Sequence, residues 1–338
     1  MPSITLVLPG LLPAPPVVTD NDLPACRLLT RLLSRADRSP CLRDYYRQLF
    51  AGFGMQPDDG RDCPIAPLGY LAETGRQPRY CLRADPVHLS ASREGMALMD
   101  NAMIGLQPDE AEALANQLQP LFSEFQAELV TPHAAHWYIN STDSPAIRTT
   151  PLPDVIARDV STALPVGDDQ TRWRQLFNEI QMMLHTCEIN EARSSRGQLP
   201  VNSLWFWGGG TLPAAGAAAF DYCVSDDPFV RGLGLLHDQA VDVLPASAEA
   251  VLEKAARGQH ILVTDDTARR LKNYDDVPNW LGFLEKLEQN WLLPLQAAQK
   301  SGRIQQINVI IDGNHYAYRR RHQWRFWRRS AILTQRSQ

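Results

Sequence analysis

The sequence predicts an α/β fold, a mostly parallel sheet flanked by helices, and three observations carry that reading. The chain opens as strand, loop and helix. Short β-branched runs alternate with amphipathic helices over its second half. Its 338 residues, 44% hydrophobic and 21% charged, have the composition of a globular protein large enough for about two domains.

In order, Ile4 to Leu8 is a β-branched and leucine run closed by Pro9-Gly10. A proline-rich loop reaches Asp22, an available N-cap, after which Cys26, Leu29, Leu32, Leu33 and Ala36 recur at helical spacing. Arg43 to Phe53 reads as a second helix, and 56–64 as a loop rich in Asp, Gly and Pro. Tyr80 to Leu89 reads as a strand interrupted at Asp85-Pro86, because proline removes a ladder donor. Asp85 and His88 are candidate site residues there, although Asp-Pro also simply starts turns.

Pro108-Asp109-Glu110 has the proline and acidic first turn of a helix, with Leu114, Leu118, Leu121, Phe122, Phe125 and Leu129 on its buried face. His133 and His136 follow; without a third ligand they are read as strand termini or solvent-facing positions rather than a metal pair. Asp168 and Asp169 open another helix, whose apolar face is Trp173, Leu176, Phe177, Ile180 and Leu184. Its polar line Asn178, Gln181 and His185 is read as solvated. Arg193 and Arg196 fall in a loop beyond it, as candidate ligand contacts.

Leu204 to Gly208 continues as an apolar, aromatic run into Gly208-Gly209-Gly210, and an alanine-rich segment, Leu212 to Phe220, follows with helix propensity. This reads as a buried strand, a glycine turn and a helix. The turn is either an anion cradle at a helix N-terminus or a close-packing turn. It lacks the Lys-Ser or Lys-Thr of a Walker loop and the spacing of a dinucleotide fingerprint.

Beyond it, Val230–Leu236, His260–Val263 and Gln306–Ile311 are strand candidates, separated by a helix at Ala248–Ala256 and a long amphipathic one from Pro278. Two of these strands lead into acids, Asp265-Asp266 and Asp312 with His315 nearby. Sites in open α/β sheets lie at the carboxyl ends of strands, so these are candidate metal or phosphate contacts.

A net charge of −5 argues against a dedicated nucleic-acid binder. The tail departs from this balance, with Arg319, Arg320, Arg321, Arg325, Arg328 and Arg329 interleaved among Tyr318, Trp324, Phe326 and Trp327. Such residues grip nucleic acid by phosphate contact and stacking, or form a hairpin whose arginines cover a sheet edge. The hairpin is the preferred reading, and nucleic acid is not expected as a partner. No apolar run approaches the roughly 20 residues of a membrane helix, and the first residues lack a charged region followed by a cleavage site. Six scattered cysteines, with no C-x-x-C pair, are expected as free thiols in a cytoplasmic protein.

From about Tyr80 onward the chain resembles the cofactor-independent phosphoglycerate mutases of the archaeal type, in the alkaline phosphatase superfamily. It looks closest to their bacterial relatives labelled regulatory proteins of the RpfE type. The segments that carry the resemblance are Arg83-Ala84-Asp85-Pro86-Val87-His88-Leu89, Asn178 to Met182, Asn202-Ser203-Leu204-Trp205-Phe206-Trp207 with its three glycines, Val230 to Gly234, and Trp324 to Arg329. The resemblance implies an alkaline phosphatase-like core, residues 1–79 and 201–338, and a smaller α+β insert, residues 80–200. It also implies phosphoryl transfer through a Ser or Thr held between two divalent metals, usually manganese or zinc.

The expected ligands are incomplete. The first strand ends Leu8-Pro9-Gly10 without an acid, Asp265-Asp266 lacks the histidine expected after it, and Asp312 is followed by Gly313 with His315 displaced. Thr19 is the one hydroxyl in the loop before the first core helix. The expectation is therefore a degenerate centre needing no cofactor, with Asp266, Asp312 and His315 as remnants of the metal set. The protein would bind a small phosphorylated or anionic ligand, or a partner protein, in a regulatory role. Asp85, His88, Arg193, Arg196, Asn202, Gly208, Gly209 and Gly210 are its candidate contacts. The alternatives are an active manganese- or zinc-dependent phosphomutase or phosphatase with rearranged ligands, and a nucleic-acid-binding regulator acting through the tail.

Overall fold

The computed structural model describes residues 2–56, 58, 60–92, 95–255, 258–328, 333 and 334. Its strands are β1 (Ser3–Val7), β2 (Asp37–Pro40), β3 (Tyr80–Ser92), β4 (Gly95–Met99), β5 (Ala127–His133), β6 (His136–Ser141), β7 (Ser203–Gly210), β8 (Tyr222–Val224), β9 (Val241–Asp242), β10 (His260–Thr264), β11 (Gln306–Ile311) and β12 (Asn314–Arg319). The fold is α/β, and it divides into two compact units, one of Met1–Gln56 with Ala215–Gln338 and one of Pro57–Ala214.

The first unit holds a sheet ordered β2-β12-β11-β1-β10-β8-β9. Its run from β11 to β9 is parallel, and β12 and β2 add an antiparallel margin. Every residue of β1 is buried, as a central parallel strand covered on both faces requires. The second unit holds a sheet ordered β4-β3-β6-β5, with β7 also paired to β3. This unit includes the helix Ile65–Thr74 and β7, which the sequence reading had assigned to the core. The boundaries fall at 56/57 and 214/215 rather than 79/80 and 200/201, because β7 is hydrogen-bonded along β3 from Cys81 to Val87.

Several local expectations need correction. Asp85-Pro86 does not interrupt β3. Pro86 stands opposite Leu204 of β7, between the segments paired with β6 (Tyr80–Arg83) and β4 (His88–Ser92), and the strand continues through it. Val230–Leu236 is not a strand but part of the helix Pro228–Leu236. Asp227 caps this helix by accepting the Phe229 N–H at 2.9 Å, and Pro228 sits in its first turn. The alanine-rich segment forms no helix. It carries no regular secondary structure, with Ala219 N–H donating to Gly52 O at 2.9 Å and Ala217 seated against Gly54 where a Cβ would collide. Arg193 lies inside the helix Glu188–Ser195, not in a loop.

Other expectations hold. The five apolar residues of the helix Gln170–His185 are all buried; of its polar line Asn178 and His185 are exposed, whereas Gln181 is half-buried and donates to Ser203 Oγ at 3.5 Å, so that position is not solvated as expected. His133 ends β5 and His136 begins β6. All six cysteines are free thiols, and among the described residues no helix is long and apolar enough to cross a membrane. The helix expected at Ala248–Ala256 spans Glu249–Ala255, Ala256 being outside the described residues. The tail is a hairpin only in its first part: Tyr316–Arg319 belong to β12, the arm paired antiparallel with β11 and flanked by β2, and the chain then leads into a 3₁₀ turn, Arg320–Trp324. Arg325 and Arg328 do cover the sheet margin, and Arg329 lies outside the described residues.

Candidate functional site

The carboxyl ends of β1, β10 and β11 bring the acids of the first unit to one edge of its sheet. Asp312 sits at a positive φ of 41° in the tight turn between β11 and β12. Its carboxylate accepts the Gly10 N–H at 2.9 and 3.1 Å. Gly10 must be glycine, since its φ is +73° and a Cβ would lie 2.5 Å from Arg269 Cα. At the end of β10, Asp265 accepts the Thr267 N–H at 3.0 Å. Burial pushes its carboxyl above the usual range, and the Thr267 donors only partly offset this. Asp266 is paired with Arg269 at 3.3 Å and with Arg270 at 3.2 Å.

Arg269 in turn lies over the rings of Tyr45 and Tyr46, at 5.0 and 5.7 Å. Tyr45 donates to Asp227 at 3.2 Å. His315 does not join these acids. It sits in β12 with Nε2 3.1 Å from the Asn308 side chain, and burial lowers its pKa. A two-metal centre needs several Asp and His ligands free to converge. The donors at this edge do not fit that need, because Asp266 is held by two guanidinium groups, Asp312 by a backbone amide, and His315 lies on a different partner. Among the described residues no group of three or more His, Cys, Asp or Glu is placed to hold a metal ion. Beside this edge a cleft of about 560 Å³ is walled by Leu6, Leu8, Val263, Phe283 and Trp291, with Asp265 among its polar residues.

In the second unit, Asp85 and Arg83 form a buried ion pair, 1% and 6% exposed. Arg83 Nε and Nη2 both donate to the Asp85 carboxylate at 2.9 Å. Asp85 also receives Trp207 Nε1–H at 2.7 Å and the Trp137 N–H at 3.2 Å, so its acceptor capacity is filled from β3, β6 and β7. Arg83 reaches Tyr138 at 3.2 Å, Tyr138 donates to Glu73 at 2.5 Å, and Glu73 meets His136 at 2.7 Å. Two strand faces and a helix are tied by one chain of charges.

The remaining candidates are committed to structure as well. His88 Nδ1 lies 2.8 Å from Pro200 O. Asn202 brackets Leu89, accepting its N–H at 2.7 Å and donating to its carbonyl at 2.8 Å. Arg193 is fully buried, donating to Leu199 O at 3.0 Å and Ile104 O at 2.6 Å and pairing with Glu110, which Arg196 also meets at 2.5 Å. These two arginines clamp the helix Glu188–Ser195 to the start of the helix Pro108–Ser123.

The glycine run is strand, not an anion cradle at a helix N-terminus. Gly208 N–H donates to Thr149 Oγ1 at 3.0 Å, and Asp62 takes the backbone N–H groups of Gly209 and of Thr149, the latter at 2.9 Å. The carboxylate against these amides is thus the protein's own. Glycine is needed here for closeness: a Cβ would lie 2.9 Å from Ile65 at Gly208, 2.8 Å from Leu82 and against the Tyr80 hydroxyl at Gly209, and 2.9 Å from Pro64 at Gly210. Gly209→Ala is expected to cost roughly 1–3 kcal/mol by overpacking, read as a lowered urea midpoint; an unchanged midpoint would show that Tyr80 yields freely.

Sequence reasoning missed Arg269, Tyr45, Tyr46, Asp227 and Asp62. Only Asp227-Pro228 carried a local signal, the cap and first-turn proline of a helix. Asp62 meets Thr149 across 87 residues of sequence, which no spacing reveals.

No model of a known protein family matches the chain. It is similar to the 2,3-bisphosphoglycerate-independent phosphoglycerate mutase of Methanosarcina mazei, 26% identical over 212 residues, 57% of this chain and 53% of that protein. A probable enzyme of the same name from Geobacter sulfurreducens is 23% identical over 160 residues, 45% and 40% of the two chains. One from Methanothermobacter thermautotrophicus is 31% identical over 70 residues, 20% and 17% of the two. The chain spans about half the length or less of these curated relatives. Among solved structures, a cofactor-independent phosphoglycerate mutase from Thermoplasma acidophilum superposes with a TM-score of 0.45 at 16% identity, covering 95% of this chain and 90% of that one. A protein from Pyrococcus horikoshii gives 0.47 at 13%, covering 93% and 84%.

Proposed function

We propose that this chain is a phosphoglycerate mutase-like protein whose phosphoryl-transfer centre is degenerate, and that it acts as a cytoplasmic regulatory or ligand-binding protein, nearest to the bacterial RpfE type. Its first unit is the counterpart of the alkaline phosphatase-like core and its second that of the insert. The sequence kinship to mutases supports the lineage. The observation that carries the loss of chemistry is the fate of the two retained acids. Asp266 is neutralised by Arg269 and Arg270, and Asp312 holds the Gly10 amide where the first strand has no acid of its own. A guanidinium beside each oxygen competes directly with a divalent ion for the same lone pairs.

A small molecule is best accommodated in the cleft walled by Leu6, Leu8 and Trp291, since the polar candidates named from the sequence are occupied by internal partners. Equilibrium dialysis against Mn²⁺ and Zn²⁺, with an assay of 2- and 3-phosphoglycerate interconversion, tests the reading. Neither stoichiometric metal nor turnover is expected; two bound ions with turnover would overturn it. In that event the acids would be working ligands, and Asp266→Asn and Asp312→Asn would each abolish the metal-dependent rate.

A further inference from the structure

Charge and exposed apolar surface both depart from the rest of the chain beyond β12. After Asp312 the sequence holds seven arginines and no Asp, Glu or Lys, although the chain as a whole carries a net −5. Among the described ones, three have structural partners at the sheet margin: Arg319, whose Nε donates to Gln306 Oε1 at 2.7 Å, Arg325 and Arg328. Arg325 donates to Arg35 O at 2.9 Å and the Asp37 carboxylate at 2.6 Å, and Arg328 to Ala36 O at 2.8 Å. They anchor the turn against the carboxyl end of the helix Arg27–Arg35, where a cation is favoured.

Arg320 and Arg321 are different: both are exposed on the 3₁₀ turn. Beside them Trp324, Phe326 and Trp327 are 68%, 75% and 69% exposed. They are the only aromatic members of the large exposed hydrophobic set among the described residues. Reading the tail's arginines as cover for a sheet edge therefore accounts for Arg319, Arg325 and Arg328, but not for the exposure of Arg320, Arg321 and the three rings, of which Phe326 and Trp327 meet each other edge-on.

We propose that this turn is a binding platform for single-stranded nucleic acid, with Arg320 and Arg321 on backbone phosphates and Trp324, Phe326 and Trp327 as faces on which bases stack. Charge complementarity selects a polyanion, since the basic tail sits on an otherwise acidic chain. The residue types select nucleic acid over a lipid surface. Attraction to anionic lipid does not distinguish lysine from arginine, yet every cation here is arginine, whose planar fork pairs with phosphate and stacks on bases. The exposed apolar groups of the turn are likewise all rings, and stacking on rings tolerates any base. This inference stands apart from the mutase reading and survives or fails independently of it.

Fluorescence anisotropy with a labelled oligothymidylate of about 20 nucleotides, on the full chain at low salt, is the test. Binding is expected, weakening steeply as salt rises. Arg320→Gln with Arg321→Gln should reduce the slope of log affinity against log salt by about 1.4. Trp324→Ala with Trp327→Ala should weaken binding about tenfold or more with the slope unchanged, and tyrosine at both positions should restore most of it. These side chains are exposed, so unaltered circular dichroism is expected in each variant. The proposal is overturned by absence of binding at low salt. It is also overturned by binding only to phosphatidylserine-containing vesicles, or by self-association in sedimentation that the aromatic substitutions abolish while the oligonucleotide has no effect.

Discussion

Replacing Asp85 with alanine is expected to destabilise the protein by about 3–5 kcal/mol, because it strands a charge that has no route to water. Arg83 is 6% exposed and points its fork at the Asp85 carboxylate. Removing that carboxylate also leaves the Trp207 indole N–H and the Trp137 amide without their acceptor. Urea unfolding should show the loss as a lower midpoint with little change in slope. The companion experiment is a double variant, Arg83→Met with Asp85→Leu, which removes both charges and keeps the volume. It should recover much of the loss, since a desolvated pair contributes far less than its broken half costs. Asp85 matters to the protein through packing of β3, β6 and β7, so a double variant no more stable than Asp85→Ala alone would contradict that account.

The second large effect is expected at Glu288. This buried residue lies in the π-helical turn Leu287–Leu292, and its carboxylate accepts the N–H groups of Leu28 and Leu29 at 2.5 and 3.0 Å. It thereby caps the helix Arg27–Arg35, whose own N-cap residue, Cys26, makes no side-chain cap bond. Two amides at a buried helix start otherwise find no partner. Glu288→Ala should cost about 2–4 kcal/mol, from two charge-assisted bonds lost and two donors left desolvated. Glu288→Gln keeps one acceptor oxygen and should lose about half as much. Amide exchange read at Leu28 and Leu29 separates the mechanism from general loosening, because those two amides should lose protection first. The charge also explains the neighbouring thiol: burial, then Glu288 and Glu285, push Cys26 up to about 12, so it stays a protonated, unreactive group.

Both effects come from residues that sequence reading passes over or misjudges. Asp85 drew notice as a possible site residue beside His88, yet its partners are supplied by three strands. Glu288 carries no signal of its own within the long amphipathic helix expected from Pro278. The same contrast runs through the candidate site. Asp265, Asp266 and Asp312 were legible at the ends of strands, because alternation of strand and helix puts strand ends on one edge of a parallel sheet. What each carboxylate does there was not legible, since Arg269, Arg270 and Gly10 decide it.

Periodicity by itself determined the α/β class, strands β1, β10 and β11, and the helices Pro108–Ser123 and Gln170–His185, since burial of one face writes a repeating pattern into the chain. Only the tertiary structure decided the rest. The alanine-rich stretch stayed out of helix against Gly52 and Gly54, and the three glycines became strand pressed on Tyr80 and Ile65. Hydrogen bonds and close approaches between residues tens to hundreds of positions apart fixed those outcomes. Local propensity amounts to a few tenths of a kcal/mol per residue and yields to contacts of several.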